Sequence, residues 1–82
     1  MIDIVLDGAA GMEVIHEQLA HALQFPDFYG HNLDALYDCM TDVQTDVTFH
    51  LKNISALGRR GPALQILLQK AAVLNPHIHL EI

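Results

Sequence analysis

Three aspartates, Asp34, Asp38 and Asp42, follow one another at intervals of four residues in the middle of the chain. At about 100° per residue, this spacing puts the three carboxylates on a narrow stripe of one helix face. A carboxylate can bind arginine, lysine or protonated histidine through charge-assisted hydrogen bonds. The stripe is therefore the strongest chemical signal in the sequence, although a solvated helix face would also tolerate it.

The residues around the stripe predict a short helix from Leu33 to Asp42, preceded by Asn32, a residue type suited to cap it. Apolar residues recur with helical spacing at Leu33, Leu36, Tyr37 and Met40. Asp34 lies in the first turn, where the helix dipole favours a negative charge by about 0.3–1 kcal/mol. Asp38 lies in the middle, where like charges four residues apart cost roughly 0.2–0.5 kcal/mol. Asp38 is therefore the residue that local structure explains least.

Two adjacent rings, Phe28 and Tyr29, lie on the turn before this helix rather than inside a periodic element. Tyr37 lies about 60° around the helix from Asp34, at the border of the acidic stripe. Aromatic rings beside carboxylates are typical of a protein–protein interface. The other interpretation is that the turn rings fill the core, which we expect for at least one of Phe28 and Tyr29.

The remaining chain predicts a small α/β domain that spans residues 1–82. Strand patterns cover residues 2–6, 47–51 and 78–82, and helical patterns cover residues 12–23 and 62–74. Pro62 is expected as the first residue of the last helix, and residues 53–60 are expected to form a short helix or turn. Strands separated by helices imply a three-stranded parallel sheet. Polar residues alternate with apolar ones in the last two strands, so we expect the helices mainly on one face.

Composition narrows the function classes. The 82 residues include 10 acidic and 4 basic side chains, for a net charge of −6, which indicates a basic partner and disfavours nucleic acid or an anionic membrane. Cys39 is the single cysteine, so an intramolecular disulfide is impossible, and we expect a cytoplasmic protein. The first residues lack the features of a signal peptide, and no apolar run approaches the ~20 residues of a membrane span.

Catalytic and metal-binding patterns are weak. The six histidines include His77 and His79 on one face of the last strand, with His50 on a possible neighbour, but no His-x-x-x-His or Cys-x-x-Cys spacing occurs. Histidines on a wet sheet face explain them better than a metal enzyme. Cys39 has no nearby cation to activate it and is expected to be a packing residue. No dinucleotide, phosphate-loop or serine-nucleophile motif is present, so we expect no cofactor and no enzymatic activity.

Residues 25–41, FPDFYGHNLDALYDCMT, closely resemble the signature segment of barstar, the intracellular inhibitor of a secreted bacterial ribonuclease. Outside this segment, which is about a fifth of the chain, the resemblance lies in the order strand-helix-helix-strand-helix-strand. It implies a three-stranded parallel α/β fold. It also implies a mechanism in which the acidic helix and the aromatic loop cover the ribonuclease active site, with carboxylates in the positions of substrate phosphates.

The resemblance also implies which residues contact the partner. Asp38 matches the central phosphate-mimicking aspartate, and Asp34 matches its acidic neighbour. The other positions on or beside the contact surface are Phe28, Tyr29, Gly30, Asn32, Leu33, Tyr37, Thr41 and Asp42.

The chain departs from the barstar pattern at several contact positions. Phe28 replaces a tyrosine, Tyr37 replaces a tryptophan, and Asp42-Val43 replaces Gly-Trp. An acidic contact from the last helix is Lys70 or Gln69 here, depending on the alignment. The leading hypothesis is a monomeric inhibitor of a basic bacterial ribonuclease or ribonuclease-like toxin. The alternative is an interaction module of the same fold that binds another basic protein and inhibits no nuclease.

Overall fold

Three short strands form a fully parallel sheet in the order β1-β2-β3. The computed structural model describes residues 2–81. The strands are β1 (Ile2–Asp7), β2 (Val47–Lys52) and β3 (Ile78–Glu81). Phe49 of the central strand pairs with Ile4 on one side and with Leu80 on the other. The predicted parallel sheet is confirmed, and only Ile82 of the predicted last strand lies outside the described residues.

The helices lie close to the predicted ranges. They are α1 (Met12–Leu23), α2 (Leu33–Thr41) and α3 (Arg60–Leu74), with short 3-10 helices at Gly8–Ala10 and Ile54–Leu57. The second 3-10 helix is the short helix or turn expected within residues 53–60. None of the helices within residues 2–81 combines the length and apolar character that a membrane span requires.

The start of α3 differs from the prediction. The helix begins at Arg60, so Pro62 is its third residue rather than its first. Proline is tolerated there because the first four N–H groups of a helix have no intrahelical acceptor. Gly61 permits the earlier start, since a Cβ at this position would collide with the carbonyl oxygen of Ile54. The close packing of Gly61 against the preceding 3-10 helix is a tertiary contact, which the residue pattern does not contain. The predicted start at Pro62 was therefore wrong.

The two faces of the sheet differ in burial, as the alternating patterns predicted. Ile4, Leu6 and Phe49 point into the core and are buried, whereas Asp3 and His79 on the opposite face are exposed. The apolar side chains of all three helices join the buried sheet face in one hydrophobic cluster. The prediction that the helices cover mainly one face is therefore confirmed.

Contacts within this cluster fix the position of α2. Leu36 and Met40 are fully buried, one helical turn apart, so one side of α2 faces the core. Burial of each such side chain contributes about 1.5–3 kcal/mol. The opposite side of α2, which carries the aspartates, consequently faces outward.

Candidate partner-binding surface

Side-chain hydrogen bonds hold both ends of α2. At the beginning, Asn32 Oδ1 accepts from the Ala35 amide at 2.8 Å, as expected for the predicted cap. At the end, the buried Asn75 side chain donates to the carbonyl oxygens of Met40 (3.0 Å) and Val43 (2.8 Å). The sequence pattern ended the last helix at residue 74, directly before Asn75, and did not predict this contact. A helix fixed at both ends presents its outer side chains in a defined arrangement.

The three carboxylates of the predicted stripe are all exposed: Asp34 and Asp38 lie on α2, and Asp42 is the residue that follows its last helical residue. Within residues 2–81, the ion pairs involve other acidic residues, and no hydrogen bond joins Asp34, Asp38 or Asp42 to another side chain. Asp34 and Asp38 share one side of α2, as the spacing predicted, whereas Asp42 lies just beyond the end of the helix. Because no side chain among the described residues uses their lone pairs, these carboxylates are available to an external cation.

A groove lies on each side of α2. The loop groove, about 570 Å³ in volume, separates α2 from the loop after α1 and includes Phe25, Phe28 and Asp42 in its lining. The helix groove, about 620 Å³, separates α2 from α3 and includes Asp34 in its lining. Asp38 lines both grooves. Its carboxylate therefore lies on the ridge between two concave surfaces.

The two adjacent loop rings have opposite environments. The Phe28 side chain is 88% exposed and lines the loop groove, whereas Tyr29 is only 9% exposed and belongs to the hydrophobic core. The prediction that at least one of the pair fills the core is confirmed for Tyr29. Its neighbour Phe28 is left as a large apolar ring in solvent beside the loop groove.

The helix groove combines apolar and charged side chains. Tyr37 is partly buried, and Leu33 and the half-exposed Ile66 line the same groove. Lys70 lies among the groove-lining residues of α3, whereas Gln69 lines a separate depression beside Pro62. Of the two residues left open by the alignment, Lys70 is thus the one on the α2 side. The groove carries carboxylates on α2 and a cation on α3.

The remaining predicted contact residues lie close to the acidic stripe. Gly30 is exposed, and its carbonyl oxygen accepts from Asn32 Nδ2 at 3.2 Å. A Cβ at Gly30 would lie 3.0 Å from that nitrogen, so a side chain there would press on the helix cap. Thr41 is partly buried, and its hydroxyl donates to the Asp38 carbonyl oxygen at 2.8 Å. Gly30 and Thr41 thus contribute to this surface through hydrogen bonds that involve backbone carbonyl oxygens.

A buried ring pair anchors the loop from below. His16 Nδ1 lies 2.5 Å from Tyr29 Oη, and His16 is only 4% exposed. Burial is the main cause that lowers the pKa of His16, and burial likewise raises the pKa of Tyr29 to about 12. Sequence analysis missed His16. The available signal was its position four residues after Met12 and three before Leu19, on the apolar face of α1.

Two further histidines, His50 and His77, form hydrogen bonds with carboxylates. His50 Nε2 lies 3.1 Å from Asp3 Oδ1, and His77 Nδ1 lies 3.0 Å from Asp46 Oδ1. Within residues 2–81, no group of three or more histidine, cysteine or acidic side chains is arranged to hold a metal ion. Cys39 packs partly buried against the core, in agreement with its predicted role, and burial raises the pKa of its thiol. Its surroundings thus favour the protonated thiol.

Comparison with known proteins shows to which protein family this chain is related. The family described as "Barstar (barnase inhibitor)" matches residues 1–74. A Bacillus subtilis (strain 168) protein named "Putative ribonuclease inhibitor YrdF" is 48% identical over 56 residues, which is 65% of this chain and 62% of that protein. The matched region therefore spans less than two thirds of the relative. Since the family match covers most of the sequence, together with the parallel α/β fold, the chain belongs to the barstar family.

Proposed function

We propose that this protein inhibits a basic ribonuclease by covering its active site with α2 and the loop of residues 24–32. Membership of the barstar family and the inhibitor name of the Bacillus subtilis relative support the general activity. The observation that carries the proposal is Asp38, an exposed carboxylate in the middle of a helix that lies between two grooves. Local structure does not require a charge at this position.

In the proposed complex, Asp38 and Asp34 bind the arginine, lysine or protonated histidine side chains that would otherwise hold substrate phosphates. Such charge-assisted hydrogen bonds are stronger in a cleft from which water is excluded. Because α2 is fixed at both ends by Asn32 and Asn75, little conformational freedom is lost on binding. The net charge of −6 also favours rapid encounter with a basic partner.

Phe28 provides the apolar part of the proposed contact. Its ring is 88% exposed in the free protein, and burial against a partner would remove that apolar surface from water. Tyr37 and Leu33 act on the other side of α2, where they line the helix groove. Tyr29, which is buried, supports the loop from within instead of offering its ring to the partner.

The size of the surface is adequate for a specific complex. A standard interface buries about 800 Å² on each partner. The protein exposes 4950 Å² in total, so such a contact would occupy roughly a sixth of its surface. The residues that line the two grooves, together with the ridge of α2, form a continuous face on which this contact can be made.

The proposal is tested by RNA cleavage in the presence of increasing amounts of the purified chain. The probes are barnase and a panel of other secreted bacterial ribonucleases. We expect stoichiometric inhibition of at least one of them, and weaker inhibition by Asp38→Ala. If the chain binds basic proteins but inhibits none of the panel, an interaction module is the better interpretation. Equal inhibition by wild type and Asp38→Ala would refute the proposed role of α2.

A further inference from the structure

The loop between α1 and α2 rests on a cluster of rings that extends from the core to the surface. At the bottom, Tyr29 Oη forms its hydrogen bond with His16 Nδ1, at 2.5 Å. The Phe25 ring packs against Tyr29 with centroids 5.0 Å apart and planes inclined by 60°. The inner side of the loop is thereby tied to α1, the helix that precedes it.

The upper part of the cluster leads directly to the cap of α2. The His31 ring stacks on His16 with centroids 5.6 Å apart and an interplanar angle of 20°, and its Nδ1 binds Glu13 Oε1. His31 has a φ of +48°, in the left-handed region that residues other than glycine rarely adopt. The residue that follows is Asn32, the cap. The contacts of His31 therefore maintain the turn from which α2 starts.

We propose that His16 is a positioning residue for this surface, and that the His16–Tyr29 pair is a latch on the loop that opens when His16 binds a proton. The latch is a property of the free protein and goes beyond the proposed inhibition. Only the effect that opening of the loop would have on partner binding rests on the proposed function.

The charges around His16 make its protonation unfavourable in the closed arrangement. Glu13 on α1 favours the imidazolium, but its carboxylate already binds His31. Burial, His31 from the loop and Arg60 from α3 all oppose the imidazolium. Cys39 on α2 acts on the Tyr29 side, where it favours the neutral hydroxyl. Within residues 2–81, no carboxylate other than Glu13 favours a positive charge at His16.

The direction of the pH effect follows from these contacts. The pKa of His16 in the closed state is lower than that of an exposed histidine, about 6.5. The closed state thus binds this proton less readily than a state in which the imidazole is exposed. The latch is stable above pH ~6.5 and weakens as the pH falls from that value toward the lowered pKa. Mild acid should consequently release the loop before it unfolds the helices.

The test is amide hydrogen exchange of the full chain at pH 7.5 and pH 5.0, with rates corrected for the intrinsic effect of pH. We expect protection of the Tyr29 amide, which donates to the Pro26 carbonyl oxygen, and of the Ala35 amide, which donates to the Asn32 cap, to fall at least tenfold at pH 5.0, while residues 64–71 of α3 remain protected. His16→Gln keeps a hydrogen-bonding side chain that does not titrate, so its loop protection should change less than twofold. His21→Gln, an exposed position on the same helix, is the control and should behave as wild type.

Two results would overturn the latch: a change of less than twofold in wild type, or a tenfold change retained in His16→Gln. If His16→Gln does not fold, NMR titration of the wild-type imidazoles replaces it. The midpoint of His16 must then coincide with that of loop opening, and a difference of more than one pH unit contradicts the proposal. Failure to inhibit any ribonuclease would count against the proposed function, but it would leave the exchange result unchanged.

Discussion

The buried side-chain amide of Asn75 donates a hydrogen bond to the backbone carbonyl oxygen of Val43, 2.8 Å away, and so joins the residue after α3 to the segment that follows α2. The same amide donates to the Met40 carbonyl oxygen, and Asn75 Oδ1 accepts from the His77 amide. One side chain therefore fixes the end of α2 against the start of β3. The proposed binding helix depends on a residue far from it in sequence.

Replacing Asn75 should destabilise the whole fold. Asn75→Ala removes the side-chain donor to the Val43 carbonyl oxygen and the acceptor of the His77 amide, while the Met40 carbonyl oxygen keeps the Val43 amide as a donor. Each buried group left unsatisfied costs about 1–3 kcal/mol. We expect the free energy of unfolding in urea to fall by about 2–4 kcal/mol. Gln69→Ala, an exposed change on α3, should alter it by less than about 0.5 kcal/mol. An Asn75→Ala protein as stable as wild type would show that these bonds do not hold the fold.

Asp38→Ala should weaken partner binding without lowering the stability of the free protein. Loss of one member of a buried, hydrogen-bonded charge pair costs about 2–5 kcal/mol of binding energy, whereas Asp42→Ala at the rim should cost less than about 1 kcal/mol. Stability should not fall, because alanine is the better helix former and two like-charge contacts are removed. Inhibition constants and thermal unfolding measure the two effects. Similar binding losses for both variants would contradict the central position given to Asp38.

Lys70 should influence which ribonuclease is inhibited. Because it lines the helix groove opposite Asp34, its charge would meet a different part of the partner from the one that the aspartates bind. A lysine stands where the barstar pattern places an acidic contact, so we expect the edge of the partner that meets Lys70 to be acidic, unlike its basic active site. Lys70→Glu should therefore weaken inhibition of the best-inhibited ribonuclease by about tenfold or more, since it places a negative charge against that acidic edge. Arg59→Glu changes the net charge equally but lies outside the lining of both grooves, so it provides the control. Equal effects would indicate that only net charge matters.

The alkaline limit of stability should depend on Tyr29. Its pKa is raised to about 12 by burial, followed by the effects of Cys39 and Glu13, compared with 10.0 for an exposed tyrosine. The folded state therefore favours the neutral hydroxyl, and the resulting stability is present below pH ~10 and lost as the pH rises toward 12. We expect a loss of up to roughly 3 kcal/mol between pH 9 and pH 12.

Matched tyrosine variants isolate this effect. Tyr29→Phe removes the titrating group and should flatten the alkaline part of the stability curve, although it also removes the hydrogen bond to His16. Tyr37→Phe, on α2, should keep the wild-type dependence on pH. Urea unfolding at several pH values provides the measurement. A Tyr29→Phe curve parallel to that of wild type would show that another group controls the alkaline transition.

The sequence by itself determined most of the secondary structure and the composition of the acidic surface. Apolar spacing predicted α1 at its observed limits and α2 to within one residue, because helical periodicity is a local property. The grouping of Asp34 with Asp38 on one face also follows from local geometry. The alternation of apolar and polar residues in the last two strands predicted the exposed sheet face for the same reason.

The tertiary structure alone decided which of two adjacent rings is inside. Phe28 and Tyr29 lie on a turn without periodicity, and Tyr29 is buried because His16 on a neighbouring helix provides a partner for its hydroxyl. The tertiary structure likewise placed Lys70, rather than Gln69, beside α2. These outcomes depend on contacts between segments distant in sequence, and local residue spacing does not specify such contacts.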